Sequence, residues 1–201
     1  MTETEQYPQI PELNETREND IICRMHAIYS DIEKKQSVWK DASKLSCPDG
    51  CGICCHHFEP DVCEGEALYI AAWMIINQKE TAEKIADGTF VSPHADEADG
   101  CFLFNPDSKY HCTVYGGRML ICRLFGFSGD YGKDGFLRWK PCHFMPDEAL
   151  EKCNMEHKQY SAEEMRSLFQ GLPPAMSDCV QQAIALAPSG NRPEQEPLRD
   201  A

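Results

Sequence analysis

Twelve cysteines are spread unevenly along this chain of 201 residues, and their spacing limits what it can fold into. Nine of them fall into two groups. The first group is Cys47, Cys51, Cys54, Cys55 and Cys63, and the second is Cys101, Cys112, Cys122 and Cys142. A tetrahedral metal site uses four thiolates, so nine thiols exceed the needs of a single mononuclear site. The pattern therefore predicts metal ligation, either at two sites or at one sulfur-rich cluster.

The first group begins in a short loop that reads Cys47-Pro-Asp-Gly-Cys51-Gly-Ile-Cys54-Cys55. Glycine and proline allow the backbone to turn tightly, so several sulfur atoms can be directed at one point. This local sequence pattern is typical of a metal-ligand loop.

Charge and the ends of the chain restrict its partners and its setting. The chain carries 33 acidic and 19 basic side chains, a formal charge of −14, which argues against nucleic acid or an anionic membrane surface as a partner. The first twenty residues are acidic and lack the basic, apolar pattern of an export signal. We therefore expect a cytoplasmic protein, in which cysteines serve as metal ligands or catalytic thiols more often than as disulfides.

Three other cysteine chemistries fit the spacing less well. Cys51 and Cys54 form a Cys-x-x-Cys pair, but no strand–helix–strand setting for a thioredoxin-like motif is visible around them. The spacing Cys47-x₃-Cys51-x₂-Cys54 also occurs in radical S-adenosylmethionine enzymes, yet the remaining chain has too few strands for their barrel. A pair of zinc ribbons would need a second Cys-x-x-Cys motif.

The order of the cysteine motifs resembles a known family, the YkgJ-type cysteine-cluster proteins. The resemblance covers residues 47–142 and departs from the family pattern at Met119, where proline usually follows the arginine. It rests on the Cys-x₃-Cys-x₂-Cys-Cys run and then on Gly100-Cys101-Phe102-Leu103, Cys112-Thr113-Val114-Tyr115, Arg118 and Cys122-Arg123-Leu124-Phe125. The resemblance implies a zinc- or iron-chelating domain, and relatives such as flagellin lysine N-methylases point to an iron–sulfur cluster.

Arginine and histidine accompany the cysteines. Residues 101–143 contain six basic and three acidic side chains, a local excess of positive charge in an acidic chain. We expect Arg118 and Arg123 to offset the charge of the thiolates and to donate hydrogen bonds to sulfur. His56, His111 and His143 each adjoin a cysteine, but neighbouring side chains usually point apart, which favours solvated or outer positions over ligation.

The remaining pattern predicts an α+β fold, in which a small irregular sheet and cysteine-rich loops surround a metal site and pack against several helices. Helices are expected over residues 16–43, 64–78, 81–87, 146–152, 161–170 and 174–187, and strands over 101–104, 110–114 and 136–139. Residues 1–15 are expected to form a mobile arm, 16–187 a single metal-binding domain and 188–201 a mobile tail.

The sequence thus predicts a metalloprotein that binds iron, as an iron–sulfur cluster, or zinc through its thiolates. Two functional classes stay open. As an enzyme, the protein would use the metal for redox or group-transfer chemistry on an anionic or protein substrate, which needs an open coordination position. As a chelating, delivery or maturation module, it would hold a saturated structural zinc site. Cys23, Cys153 and Cys179 lie in predicted helices and are expected to be ordinary buried residues.

Overall fold

The computed structural model describes residues 7–48, 51–56, 58–93, 100–186 and 196–198, and gives only the backbone of residues 196 and 197. The fold is α+β, as the sequence predicted. Its helices are α1 (Arg17–Ser43), α2 (Ile53–His56), α3 (Glu64–Asn77), α4 (Lys79–Ala86), α5 (Leu120–Leu124), α6 (Asp147–Glu151), α7 (Ala162–Phe169) and α8 (Met176–Ile184). Its strands are β1 (Asp61–Val62), β2 (Asp130–Tyr131), β3 (Leu137–Trp139), β4 (Tyr160–Ser161) and β5 (Glu196–Pro197).

Helix α1 is the longest described element, and its first and last parts pack into two different apolar clusters. The hydroxyl of Thr16 accepts a hydrogen bond from the backbone N–H of Asn19, a cap that contributes about 1 kcal/mol to helix stability. The helix ends where Lys44 adopts a left-handed conformation with φ of 59°. Its apolar face repeats at helical spacing and buries Ile22, Met25, Ile32 and Trp39. The long helix predicted over residues 16–43 is confirmed.

The helices that follow the cysteine regions also agree with the sequence pattern. α3 and α4 lie within two residues of their predicted bounds, and Gly88 follows α4 with a positive φ of 66°. Ser161 and Glu164 form the predicted capping box at the start of α7, where each side chain accepts the other residue's backbone N–H.

The sheet differs from the prediction. The three-stranded antiparallel sheet consists of β2, β3 and β4, with Arg138 opposite both Asp130 and Ser161. Residues 101–104 and 110–114, which were expected to be strands, share a single bridge between Phe104 and Cys112. They are otherwise turns, because the intervening residues 105–109 fold back through two consecutive hydrogen-bonded turns.

A second, two-stranded sheet joins distant parts of the chain. β1 pairs with β5 in antiparallel register, and the backbone N–H of Leu198 donates to the carbonyl oxygen of Pro60. Leu198 is buried among the residues that surround β1. Part of the segment expected to be a C-terminal tail thus packs on the domain, although its mobility stays a prediction.

Buried apolar side chains form three clusters. The first lies between α1, α3, α5 and α8; the second joins the end of α1 to β3, β4, α6 and α7; the third joins β1 and α3 to residues 101–119. Cys55, Cys112 and Cys122 pack against the third cluster, and Cys142 packs against the second. Within the described ranges, no helix is long and apolar enough to cross a bilayer.

Candidate metal centre

A cavity of about 670 Å³ lies between the second and third apolar clusters. Eight of the nine cysteines predicted as ligands line it, and both sequence groups contribute to them. These residues are Cys47, Cys51, Cys54, Cys55, Cys101, Cys112, Cys122 and Cys142. Residues as far apart in sequence as 47 and 142 therefore meet at one place, which the spacing of the cysteines predicted without fixing the contacts.

Local structure presents the first cysteines to this cavity. Leu45, buried just after α1, anchors the start of the loop. The backbone N–H of Cys51 donates to the carbonyl oxygen of Pro48, and that of Cys55 donates to Gly52 at the start of α2. The single turn of α2 carries Cys54 and Cys55 side by side, with their sulfur atoms 3.9 Å apart.

Gly52 allows this loop to approach its neighbour closely. A Cβ atom at this position would lie 2.6 Å from Cβ of His111 and 3.0 Å from the ring of Phe104. Atoms of a real side chain do not approach so closely, so the loop can pack against residues 104–111 only with glycine here.

The second group of cysteines is held by turns and one short helix. The backbone N–H of Cys101 donates to the carbonyl oxygen of Cys55 at 3.1 Å and so ties the two groups together. Cys112 takes part in the bridge with Phe104, and Cys122 lies in the middle of α5. Cys142 follows β3 and contacts Gly126, which has a positive φ of 76°.

Burial controls the chemistry of these thiols. Burial, followed by the charge of nearby thiolates, raises the pKa of both Cys47 and Cys101 to about 11. The pKa of Cys122 is raised for the same reasons, first by burial and then by Cys101 and Cys112. Several thiols thus oppose one another's ionisation. A bound cation would reduce the electrostatic repulsion between their thiolates.

Cys54 and Cys55 form a coupled pair. The hydrogen bond from the thiol of Cys55 lowers the pKa of Cys54 to about 7 and raises that of Cys55. Of this pair, Cys54 is therefore the thiol more readily available as a thiolate near neutral pH.

The donor set suits a soft metal centre. Among the described residues, no three side chains of His, Cys, Asp or Glu stand close enough together to hold a metal ion as they are placed. The cavity nevertheless offers eight thiols and one nitrogen: Nδ1 of His111 is buried and has no hydrogen-bond partner in the described part of the chain. Thiolate and imidazole are the donors that zinc and iron–sulfur clusters take in proteins.

Cys63 lies away from this cavity. It precedes α3 as the N-terminal cap, and burial, followed by the charge of Glu66, raises its pKa to about 11. It lines a separate, much smaller cleft with Leu120 and Val180. The structure therefore does not bring the ninth predicted ligand together with the other eight.

Glu66 lies in the first turn of α3 and holds another helix in place. Its buried carboxylate accepts the backbone N–H of Leu120 at 2.8 Å as well as that of Cys63 at 3.2 Å. Burial raises its pKa, and these hydrogen bonds partly oppose the shift. Glu66 thus fixes the start of α5, the helix that carries Cys122, through a contact across 54 residues that the sequence pattern does not reveal.

The two predicted arginines differ in their contacts. Arg118 lines the cavity, and its charge partly offsets the burial that raises the pKa of Cys112 and Cys122. Arg123 also borders the cavity, but its guanidinium forms an ion pair with Glu33 and donates to the carbonyl oxygens of Arg118 and Gly116. Its donors are directed toward α1 and the backbone before α5.

The remaining cysteines lie outside the cavity, as the sequence predicted, but only Cys179 is buried as expected, whereas Cys23 and Cys153 are half-buried. Cys179 is buried in α8 within the first apolar cluster, and Cys23 lies in α1. Cys153 lies just after α6, where its thiol donates to the carbonyl oxygen of Lys44 at 3.3 Å. All twelve cysteines are free thiols.

A comparison with protein families matches this region. The model of the CxxCxxCC family, described as a "putative zinc- or iron-chelating domain", matches residues 46–163. The chain belongs to the CxxCxxCC family. Its match takes in all eight cysteines of the cavity, although three residues rather than two separate Cys47 from Cys51. Neither the curated proteins nor the solved structures contain a significant match to this CxxCxxCC chain.

Proposed function

We propose that this protein binds iron as an iron–sulfur cluster through thiolates of the cavity, with zinc as the alternative metal. One observation carries the proposal: eight cysteines from two separate parts of the chain line a single cavity. The chelating character of the family supports metal binding, and the free state of all twelve cysteines fits a reducing cytoplasm.

The number of thiols favours a cluster over one zinc ion. A structural zinc site takes four ligands, whereas this cavity offers eight thiols, which suits a cluster with several irons or two neighbouring centres. A cluster would supply electron transfer or Lewis-acid chemistry when bound. We place its terminal ligands among the eight cysteines of the cavity, with His111 as an additional nitrogen donor.

Arg118 is the outer partner of this centre. Its charge acts on Cys112 and Cys122, so it would compensate negative charge on the thiolates that hold the metal. Arg123 supports the same region indirectly, because it holds the carbonyl oxygen of Arg118 through Nε at 2.8 Å.

The test is purification of the full chain without oxygen, followed by elemental analysis, assay of acid-labile sulfide and an absorption spectrum. Iron and sulfide in matching amounts, with visible charge-transfer absorption, are expected. Stoichiometric zinc without visible absorption would show that the protein binds zinc, the alternative metal, and not a cluster. Absence of both metals after anaerobic reconstitution with each would contradict the proposal.

A further inference from the structure

The described lining of the cavity carries positive charge without carboxylates. Its described lining includes Lys40, Lys109, Arg118 and Arg123, and it includes no aspartate or glutamate. The whole chain has a formal charge of −14, so four cations on a described lining without a carboxylate stand out within it. A wall of this kind concentrates anions.

Three of these cations lie outside the ion pairs of the described residues. Arg123 is paired with Glu33, but Lys40, Lys109 and Arg118 form no salt bridge with the described residues. Lys40 and Arg118 act on each other as well: burial lowers the pKa of Lys40 and the charge of Arg118 lowers it further, while the charges of Cys47 and Glu33 oppose the shift. Two like charges are therefore held near one another, an arrangement that an anion between them would stabilise.

Aromatic rings are interleaved with these cations. Lys109 lies over the ring of Tyr110 at 5.0 Å, the rings of Tyr110 and Tyr115 stack at 4.1 Å, and Arg118 lies over Tyr115 at 4.1 Å. Lys40 in turn lies over Phe127 at 4.1 Å. We call these six residues the cation–aromatic wall. These rings line the cavity, and Tyr110 and Tyr115 are 49% and 39% exposed.

The cavity is also larger than a metal requires. Zinc and iron lie about 2.3 Å from their thiolate ligands, so the sulfur atoms themselves form the boundary of such a centre. The observed volume of about 670 Å³ falls in the range of small-molecule sites, roughly 300–1,000 Å³.

We propose that the cavity binds, beside the metal, a small organic anion with a flat aromatic body, held by the cation–aromatic wall. This inference rests on the proposed function only in placing the ligand next to a metal centre. The cations meet the anionic group, and aromatic side chains of the cavity lining pack against the body of the ligand.

Three probes separate the parts of this ligand. Calorimetric titration of the full, metal-loaded chain would use 2-naphthoate, its neutral analogue 2-naphthylmethanol, and acetate. The naphthoate is expected to bind at least about tenfold more tightly than either of the others, because only it has both a charge and a ring. Equal affinities for naphthoate and naphthylmethanol, or no binding of naphthoate, would overturn the proposal.

Variants then locate the binding site. Lys40→Met and Lys109→Met remove charge while keeping the length of the side chain, and each is expected to weaken naphthoate binding about five- to tenfold. Lys152→Met is the matched control, because Lys152 is exposed and lies outside the cavity. It should bind naphthoate like the unaltered protein. Circular dichroism and a melting curve confirm that each variant is folded.

Metal analysis of the same samples separates the two proposals. Retention of metal together with weaker naphthoate binding in the lysine variants would support the cation–aromatic wall. Loss of metal with unchanged naphthoate affinity would show that the lysines serve the metal centre and would overturn the inference. Naphthoate binding that survives both substitutions but vanishes in the metal-free protein would make the carboxylate a metal ligand, with the same consequence. A chain that holds no metal yet still binds naphthoate through the lysines would refute the proposed function alone.

Discussion

The thiols of this chain differ in their surroundings, and those surroundings determine what each can do. Among the thiols that line the cavity, that of Cys122 has its pKa raised by burial and by the charges of Cys101 and Cys112. The thiol of Cys153, in contrast, has an ordinary backbone partner in the carbonyl oxygen of Lys44. Replacement of a cysteine should therefore affect metal content according to position rather than residue type.

We expect Cys122→Ser to lower metal content per chain by more than half, because serine is a poor ligand for zinc or iron and Cys122 lies at the centre of α5 beside Cys101 and Cys112. Cys153→Ser is the control, since a hydroxyl can replace its thiol as a donor to Lys44. Elemental analysis of the two purified variants measures the effect. Full metal content in Cys122→Ser would remove this residue from the ligand set.

Gly52 provides a second test at this scale. Gly52→Ala would place a methyl group 2.6 Å from Cβ of His111, so the loop of the first cysteines must move. Overpacking of this kind costs about 1–3 kcal/mol. Gly171→Ala is the matched control, because its nearest neighbours would lie 3.8 Å away. Urea unfolding curves of both variants should show the larger loss for Gly52→Ala, and equal losses would contradict the packing argument.

Residue type and spacing predicted eight of the cysteines that line the cavity, but they did not predict the position of every residue near it. Cys63 belongs to the first group by spacing. However, it caps the start of α3, and its side chain lines another cleft. His111 was interpreted as an outer residue because neighbouring side chains point apart. Its left-handed backbone, with φ of 52°, and its position over Gly52 are tertiary features that no local pattern encodes.

At the scale of elements, the position of α5 depends on contacts from outside the helix. This helix has five residues, too few to be stable alone, and it carries Cys122. Glu66 holds its start through the N–H of Leu120, and Arg123 joins it to α1 through Glu33. Gln36 of α1 adds a hydrogen bond to the carbonyl oxygen of Arg123 at 2.7 Å.

We expect Arg123→Gln to destabilise the fold by about 1–3 kcal/mol, because the carbonyl oxygens of Arg118 and Gly116 lose their donors in a buried setting. Arg138→Gln is the control: its ion pair with Asp134 is exposed, and such pairs contribute about 0–1 kcal/mol. The free energies of unfolding from denaturant titration decide the matter. A loss in Arg123→Gln no larger than in the control would show that Arg123 does not hold α5 in place.

Elements with strong local signals were predictable, and those fixed by distant partners were not. α1 and α7 have periodic apolar faces and capping residues, so the sequence gives their bounds closely. α2 and α5 are a turn long, below the length at which periodicity can be recognised. β4 joins the sheet beside β3 after an intervening helix, a pairing for which the sequence holds no local sign.

For the whole molecule, the cavity lies where two of the three apolar clusters meet. The first cluster is enclosed by α1, α3, α5 and α8 and contains no cysteine of the cavity, whereas cavity cysteines pack on both of the others. A metal bound between them would cross-link residues 47–55 to residues 101–142. Its contribution should therefore be largest in the loops around the cavity and smallest in the first cluster.

Removal of the metal is expected to lower the melting temperature by about 8–16 °C. Binding at a concentration 1,000 times the dissociation constant stabilises a fold by about 4 kcal/mol, and 1 kcal/mol corresponds to roughly 2–4 °C in a domain of this size. Calorimetry of the loaded, chelated and reloaded protein measures the shift, and elemental analysis confirms each state. Hydrogen exchange on the same samples should show protection lost around residues 100–125 and kept in the first half of α1, because only the former borders the cavity. An unchanged melting temperature after complete metal removal would mean that the apolar clusters alone hold the cysteine loops in place, and that the metal binds to the fold without stabilising it.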